Sequence, residues 1–168
     1  MSRHTVYIAL GANLGDASAT LAAALSELTA SPGLTLEQAS SLYRTAPIDS
    51  DGPDYLNAVA RFSCTLEPLA LLDLLQLVET QHGRERPYRN APRTLDLDLI
   101  LYDDLTMDHP RLTLPHPRAH QRAFVLVPLA ELAPSLQLAG QTVQAWLPSC
   151  ADQRLERLAS APTPFGDS

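Results

Sequence analysis

The chain has 168 residues, a net charge of −7, two cysteines, and twelve basic residues that are all arginine. Such a length suits a single domain whose core folds without disulfides or metal, and the acidic balance argues against general nucleic-acid binding, which relies on basic surface. The absence of lysine excludes a Walker-type phosphate lysine and Schiff-base chemistry.

Cys64 and Cys150 lie far apart and match no metal-binding spacing, and there is no secretory leader or run of 18 apolar residues. The expectation is a cytoplasmic protein of the reducing compartment, without membrane or nucleic-acid partners.

In chain order, Thr5–Gly11 is a short apolar run rich in β-formers and reads as a buried first strand. Residues 15–31 follow as a helix, with Asp16 as N-cap and Leu21, Leu25 and Leu28 as its apolar stripe. "GANLGD" has too few glycines, wrongly spaced, for a nucleotide loop, and reads as a turn that ends the strand and caps this helix. Leu34–Arg44 reads as one strand and Tyr55–Cys64 as the next, separated by the turn-rich "TAPIDSDGPD". Pro68 opens a helix that Gly83 closes. The polar stretch "RERPYRNAPR" then leads to a strand over Leu95–Tyr102. Beyond it come a small hairpin around 105–114, the proline-spaced "LPHPRAHQRAF", a helix near 124–134 and a loosely ordered remainder.

The order β-α-β-β-α-β is the split pattern of ferredoxin-like folds, so the expected class is α+β: a ferredoxin-like core sandwich with a C-terminal extension. Residues 1–160 form one catalytic domain and 161–168 a disordered tail in this reading. The topology puts the loops after the first strand, between the second and third, and before the fourth at one end of the sheet. Loops of ten or more residues in a small domain are more often binding loops than connectors.

Several constellations converge there. In "PRTLDLDLIL", Leu95, Leu97 and Leu99 share one strand face while Asp96 and Asp98 share the other, with Cα atoms roughly 6.5 to 7 Å apart. Two carboxylates so placed repel unless water screens them or a cation sits between, and paired oxygens suit Mg²⁺ that is also bound to phosphates. A wetted strand face would carry the same pair. Crowding of seven arginines between Arg84 and Arg122 favours phosphate, which guanidinium forks grip bidentately. Arg84 and Arg93 are placed to stabilise transition-state charge. Tyr55 and Asn57 share a face and, with Phe124, suit a slot for a flat heterocycle, although both aromatics also suit a core. Gln76 and Glu79 share a helical face and read locally as solvated. His116, set between two prolines, suits a fixed donor or a structural histidine.

"RNAPRTLDLDLIL", followed by "RLTLPHPRAHQRAFVLVPL" and preceded by "SSLYRTAPI", "DYLNAVA" and "Q..VETQHGRER", resembles the 6-hydroxymethyl-7,8-dihydropterin pyrophosphokinase family of folate biosynthesis, from about Tyr7 to Pro134. The resemblance implies that pyrophosphate passes from ATP to the pterin hydroxymethyl group, leaving AMP, with two Mg²⁺ ions held by Asp96 and Asp98. It implies pterin binding by Thr45, Tyr55, Asn57 and Phe124. It implies ATP binding by Gln76, Glu79, Arg84, Arg86, Arg93, Arg111, Thr113, His116 and Arg122. Arg84, Arg93 and Asp96 would carry the chemistry, in a monomer whose partners are ATP and a reduced pterin.

Three features depart from the family pattern: Asn90-Ala91 where Trp-Gly is frequent, Pro117 where some members have tyrosine, and the acidic Asp49, Asp51 and Asp54. Two rival readings stay open at this point. A polymerase-like palm would also set carboxylates on a sheet but wants a basic template surface. A ligand-sensing ferredoxin-like domain would account for the fold but not for aspartates beside arginines.

Overall fold

The computed structural model describes residues 3–12, 17–45, 55–81, 95–153 and 155–157. Strand β1 (His4–Ala12) leads to helix α1 (Ala17–Ala30), then β2 (Leu34–Ala39), β3 (Tyr43–Thr45) and β4 (Tyr55–Cys64). Helix α2 (Pro68–Gln81), β5 (Leu95–Tyr102), the hairpin β6 (Met107–His109) and β7 (Leu112–Leu114), and helix α3 (Ala123–Leu132) follow. The chain continues through β8 (Gln137–Leu138), β9 (Gln141–Thr142), the single-turn helix α4 (Val143–Trp146) and β10 (Leu155–Arg157).

The main sheet runs β10-β3-β4-β1-β5, with β2 also beside β4, and each of its pairings is antiparallel. Mixed helix and antiparallel sheet make the fold α+β. Helices α1 and α2 cover one face over Val6, Ile8, Leu10 and Phe62, with the expected stripe of Leu21, Leu25 and Leu28 buried among them. Helix α3 covers part of the other face over Tyr7, Ala9 and Val59. Continuous burial along β1 follows from this sandwich, because a strand covered on both faces has no side to leave polar.

Strand ends agree with the expected convergence. Ala12 is paired with both Leu56 and Leu95, and Thr45 with Tyr55, so the chain leaves β1, leaves β3, enters β4 and enters β5 at one end of the sheet. The segments between, with Asp16, Gly83, Arg84, Arg86 and Arg93, lie outside the described residues, as does the tail after Arg157.

Three expectations are corrected. Residues 34–44 form two strands rather than one, because buried Ser40 leaves the ladder: it pairs with Val59 through its own N–H (2.8 Å), while its Oγ accepts the Val59 N–H (3.0 Å). A hydroxyl that bonds the neighbouring backbone offers the chain a route out of regular pairing. β1 ends at Ala12, one residue beyond the expected Gly11, so Ala12 belongs to the strand and not to the turn. The region after α3 is ordered through a second hairpin, α4 and β10, and β10 extends the main sheet by pairing Leu155 with Thr45 and Arg157 with Tyr43.

Candidate active site

β5 builds the centre of the site by alternation. Leu95, Leu97 and Leu99 are at most 5% exposed against the α2 side, whereas Asp96 and Asp98 are half-buried on the opposite face. A register shift between Tyr7 and Ile8 ends the alternation, so Ile100 and Leu101 both join the apolar cluster under α3. The face therefore changes within one strand from carboxylate to hydrocarbon.

Cross-strand pairing fixes what stands beside each aspartate. Gly11 is opposite Asp96 on one side and Asn57 on the other, and Asn57 is opposite Tyr43. One step further along, Ala9 is opposite both Asp98 and Val59. Directly opposed residues project from the same face, so Asp96, Asp98, Asn57, Tyr55 and Thr45 share the α3 side of the sheet. Asn57 is buried, and its Nδ2 donates to Thr45 Oγ1 at 2.8 Å. Half-buried Phe124 stands on the first turn of α3, with the Arg122 guanidinium 5.5 Å from its ring centroid, a cation–π distance. Three residues expected to hold a heterocycle, Thr45, Tyr55 and Asn57, thus share one face with the two expected to hold metal, and the fourth, Phe124, comes from the helix that covers part of that face.

His116 follows the cis Leu114–Pro115 peptide and bonds the edge of β5, its N–H donating to the Ile100 carbonyl at 2.9 Å. Burial holds its imidazole below the usual histidine pKa, opposed by the Asp98 carboxylate and assisted by Arg122 and Arg118. Its Nδ1 accepts the Arg118 N–H at 3.2 Å. That bond leaves Nε2 as the N–H donor of the neutral ring.

Other expected nucleotide residues stand across the β5 edge. Arg111 donates to Gln76 Oε1 at 3.3 Å and to Asp73 Oδ1 at 2.5 Å, which ties the β6-β7 turn to α2. Thr113 is exposed on β7. Glu79 Oε2 accepts the N–H of Leu97, the residue between the two aspartates, at 2.7 Å. Its carboxylate thereby holds the aspartate strand, a task invisible in a locally solvated helix face.

Sequence reasoning missed Gly11, Asp73, Arg118 and Glu131. Glu131 gathers Ser41 N–H (3.1 Å), Ser41 Oγ (3.0 Å) and the Tyr43 hydroxyl (2.7 Å), with Arg157 at 3.6 Å. Burial and the Glu131 carboxylate raise the Tyr43 pKa, so the phenol stays a donor. The signal for Gly11 was its position two residues beyond Ala9 in strand alternation; the others depend on long-range contacts.

The donor set fits Mg²⁺. Asp96 and Asp98 offer hard carboxylate oxygens, and no group of three or more His, Cys, Asp or Glu able to hold a metal occurs among the described residues. Two carboxylates suit an ion that completes its shell with water and phosphate oxygens, rather than a closed zinc site.

Comparison with known proteins gives a consistent picture. The family model for 7,8-dihydro-6-hydroxymethylpterin-pyrophosphokinase (HPPK) matches residues 7–134. The chain is 43% identical over 158 residues to the 2-amino-4-hydroxy-6-hydroxymethyldihydropteridine pyrophosphokinase of Pseudomonas aeruginosa, covering 93% of this chain and 98% of that one. It is 42% identical to the protein of the same name from Haemophilus influenzae, covering 92% of this chain and 98% of that one. Among solved structures, an HPPK-DHPS in complex with substrates superposes with a TM-score of 0.73 at 11% identity, over 90% of this chain and 44% of that one. Plasmodium falciparum HPPK-DHPS with pteroate gives 0.73 at 11% identity, over 95% of this chain and 48% of that one. At that identity the structures speak for the fold, and the chain spans less than half of their length.

Proposed function

The chain belongs to the 7,8-dihydro-6-hydroxymethylpterin-pyrophosphokinase family, and from that premise we propose how its residues divide the work. It transfers pyrophosphate from ATP to the hydroxymethyl group of 6-hydroxymethyl-7,8-dihydropterin, giving AMP and the pterin diphosphate, in folate biosynthesis.

One observation carries the residue assignment: the register sets Asp96 and Asn57 on the same face, one on each side of Gly11. Asn57 and Thr45 read the edge of the pterin while Tyr55 and Phe124 sandwich its ring. The hydroxymethyl arm then points along the row toward Asp96. Asp96 and Asp98 hold two Mg²⁺ ions, which supply charge neutralisation on the phosphate oxygens.

Asp96 orients the pterin hydroxyl, whose oxygen attacks the β-phosphorus of ATP and releases its proton to solvent as the bond to the departing AMP oxygen breaks in line. His116, neutral at pH 7, donates Nε2–H to a phosphate oxygen, and Arg122 adds positive charge beside it. Gln76, Arg111 and Thr113 hold the rest of the nucleotide at the β5 edge, and Glu79 keeps that strand in register. Arg84, Arg86 and Arg93 complete the phosphate grip, with Arg84 and Arg93 neutralising charge as AMP leaves.

The helix and strand order, with β5-β1-β4-β2 across the sheet, supports a ferredoxin-like core. We place residues 1–160 in one catalytic domain that acts as a cytoplasmic monomer. No described helix is long and apolar enough to cross a membrane.

The deciding assay incubates the protein with ATP, Mg²⁺ and 6-hydroxymethyl-7,8-dihydropterin and resolves AMP from ADP. AMP formed in step with pterin diphosphate, dependent on Mg²⁺ and lost in Asp96→Ala and Asp98→Ala, is the expected result. ADP, or turnover indifferent to both aspartates, would sink the assignment.

A further inference from the structure

Glycine inside a strand weakens it and is kept where another group must approach the backbone closely. Gly11 sits inside β1 with regular partners on both sides, so its strand pairing alone does not call for glycine. What it leaves is room for a neighbouring side chain. A Cβ built there would stand 2.9 Å from Asn57 Oδ1, while the next atom, the Leu56 carbonyl oxygen, lies at an ordinary 3.8 Å.

Asn57 is held in place from its other end. Its Nδ2 donates to Thr45 Oγ1, and the side chain is only 6% exposed. A methyl at position 11 would therefore be accommodated by turning the carboxamide, at the expense of the Thr45 bond, while the backbone remains where it is. The row Asn57-Gly11-Asp96 spans two inter-strand spacings, roughly 9 to 10 Å, and has no side chain at its middle.

From this we propose that Gly11 is a specificity-determining position: by leaving room for the Asn57 carboxamide it sets the orientation in which Asn57 reads the edge of the bicyclic ring. The inference rests on the assignment of Asn57 to the pterin. With no side chain at position 11 the carboxamide keeps its bond to Thr45 and meets the edge of the sandwiched ring. With a methyl there, the amide turns away from that edge.

The test is a double-mutant cycle on the full chain, Gly11→Ala and Asn57→Ala alone and together. Binding of 6-hydroxymethyl-7,8-dihydropterin is read by calorimetry with Mg²⁺ and a non-hydrolysable ATP analogue. Gly11→Ala is expected to weaken pterin roughly tenfold, the effect of one lost hydrogen bond in a site, with affinity for the ATP analogue unchanged. In the Asn57→Ala background the added methyl is expected to cost less than about twofold, because the two changes act through one contact.

Independent, multiplicative losses would overturn the inference, as would a Gly11→Ala protein that binds pterin normally while Asn57→Ala does not. If Asn57→Ala leaves pterin affinity intact, the assignment of Asn57 fails and this inference with it. Should Gly11→Ala not fold, a folded double variant supports the stated clash, and an unfolded one contradicts it.

Discussion

The two faces of this sheet are built from the same strands on different terms. Toward α1 and α2 the face is continuous hydrocarbon, with Ile8, Leu10, Phe62, Leu71 and Leu75 at most 1% exposed. Toward α3 it is divided: Tyr7, Ala9, Val59, Ile100 and Leu101 are apolar and covered, whereas Asp96, Asp98, Asn57 and Thr45 bring polar groups to the end where the chain leaves β1 and enters β5. The first face gains free energy by burial and admits a polar group where it is paired, as the Tyr102 hydroxyl is with the Leu66 carbonyl; the second gives up part of that gain for groups that bind. One strand, β5, serves both, and its Leu-Asp alternation keeps the functions apart at a distance of one residue.

The sharpest way to break this comparison is to exchange its terms within β5. Asp96→Ala should cut turnover by about 10³-fold while the chain stays folded, because the half-buried Asp96 side chain is no part of the hydrocarbon core. Leu97→Ala, one residue away, should cost about 2 to 5 kcal/mol of folding stability, read from urea unfolding. Its residual folded fraction should bind ATP and pterin normally. An Asp96 variant that unfolds, or a Leu97 variant that folds fully and loses turnover, would erase the distinction between the faces.

A smaller effect tests how the α3 face is held where hydrocarbon is interrupted. Glu131 joins α3 to Ser41 and Tyr43, and β3 then presents Thr45 to Asn57. Glu131→Ala leaves the Tyr43 hydroxyl and the Ser41 N–H without their acceptor, and about 1 to 3 kcal/mol of stability should be lost in urea unfolding. Since β3 carries Thr45, the pterin KM should rise while the ATP KM stays put. Equal changes in both would mean that Glu131 supports the fold without positioning β3.

Much of this architecture was legible because it follows from periodicity. Tyr55–Cys64 and Leu95–Tyr102 have their expected bounds, since alternation and flanking turn residues are local properties. The Asp96–Asp98 pair was legible for the same reason. The break at Ser40–Leu42 was not, because it is made by Val59 and by Glu131, 90 residues away from Ser41. Nor was β10, a three-residue strand that exists through pairing with Tyr43–Thr45. Gly11 read as punctuation because a glycine before a turn and a glycine under an asparagine look alike until the register is known. Of the expected nucleotide residues, Arg84, Arg86 and Arg93 lie outside the described residues, and their assignment rests on sequence.

The smallest effect qualifies the division itself, because part of the proposed site lies on the hydrocarbon side. Arg111, Gln76 and Asp73 meet on the outer rim of α2 and the β6-β7 turn, not beside Asp96. β5 is the edge strand of the sheet, so a long ligand can pass around it from that rim to the aspartates without crossing the core. Both partners of the Arg111–Asp73 pair are largely exposed, and such pairs add little to stability. Their cost to lose should therefore appear in binding alone. Arg111→Ala should raise the ATP KM about three- to tenfold with the pterin KM and the thermal midpoint unchanged, the loss of one charge-assisted contact at a solvated site. Asp73→Asn should raise it less, since Gln76 still steadies the guanidinium. If Arg111→Ala instead weakened pterin, the ligand would not wrap the edge as argued, and the rim would have to be part of the pterin wall.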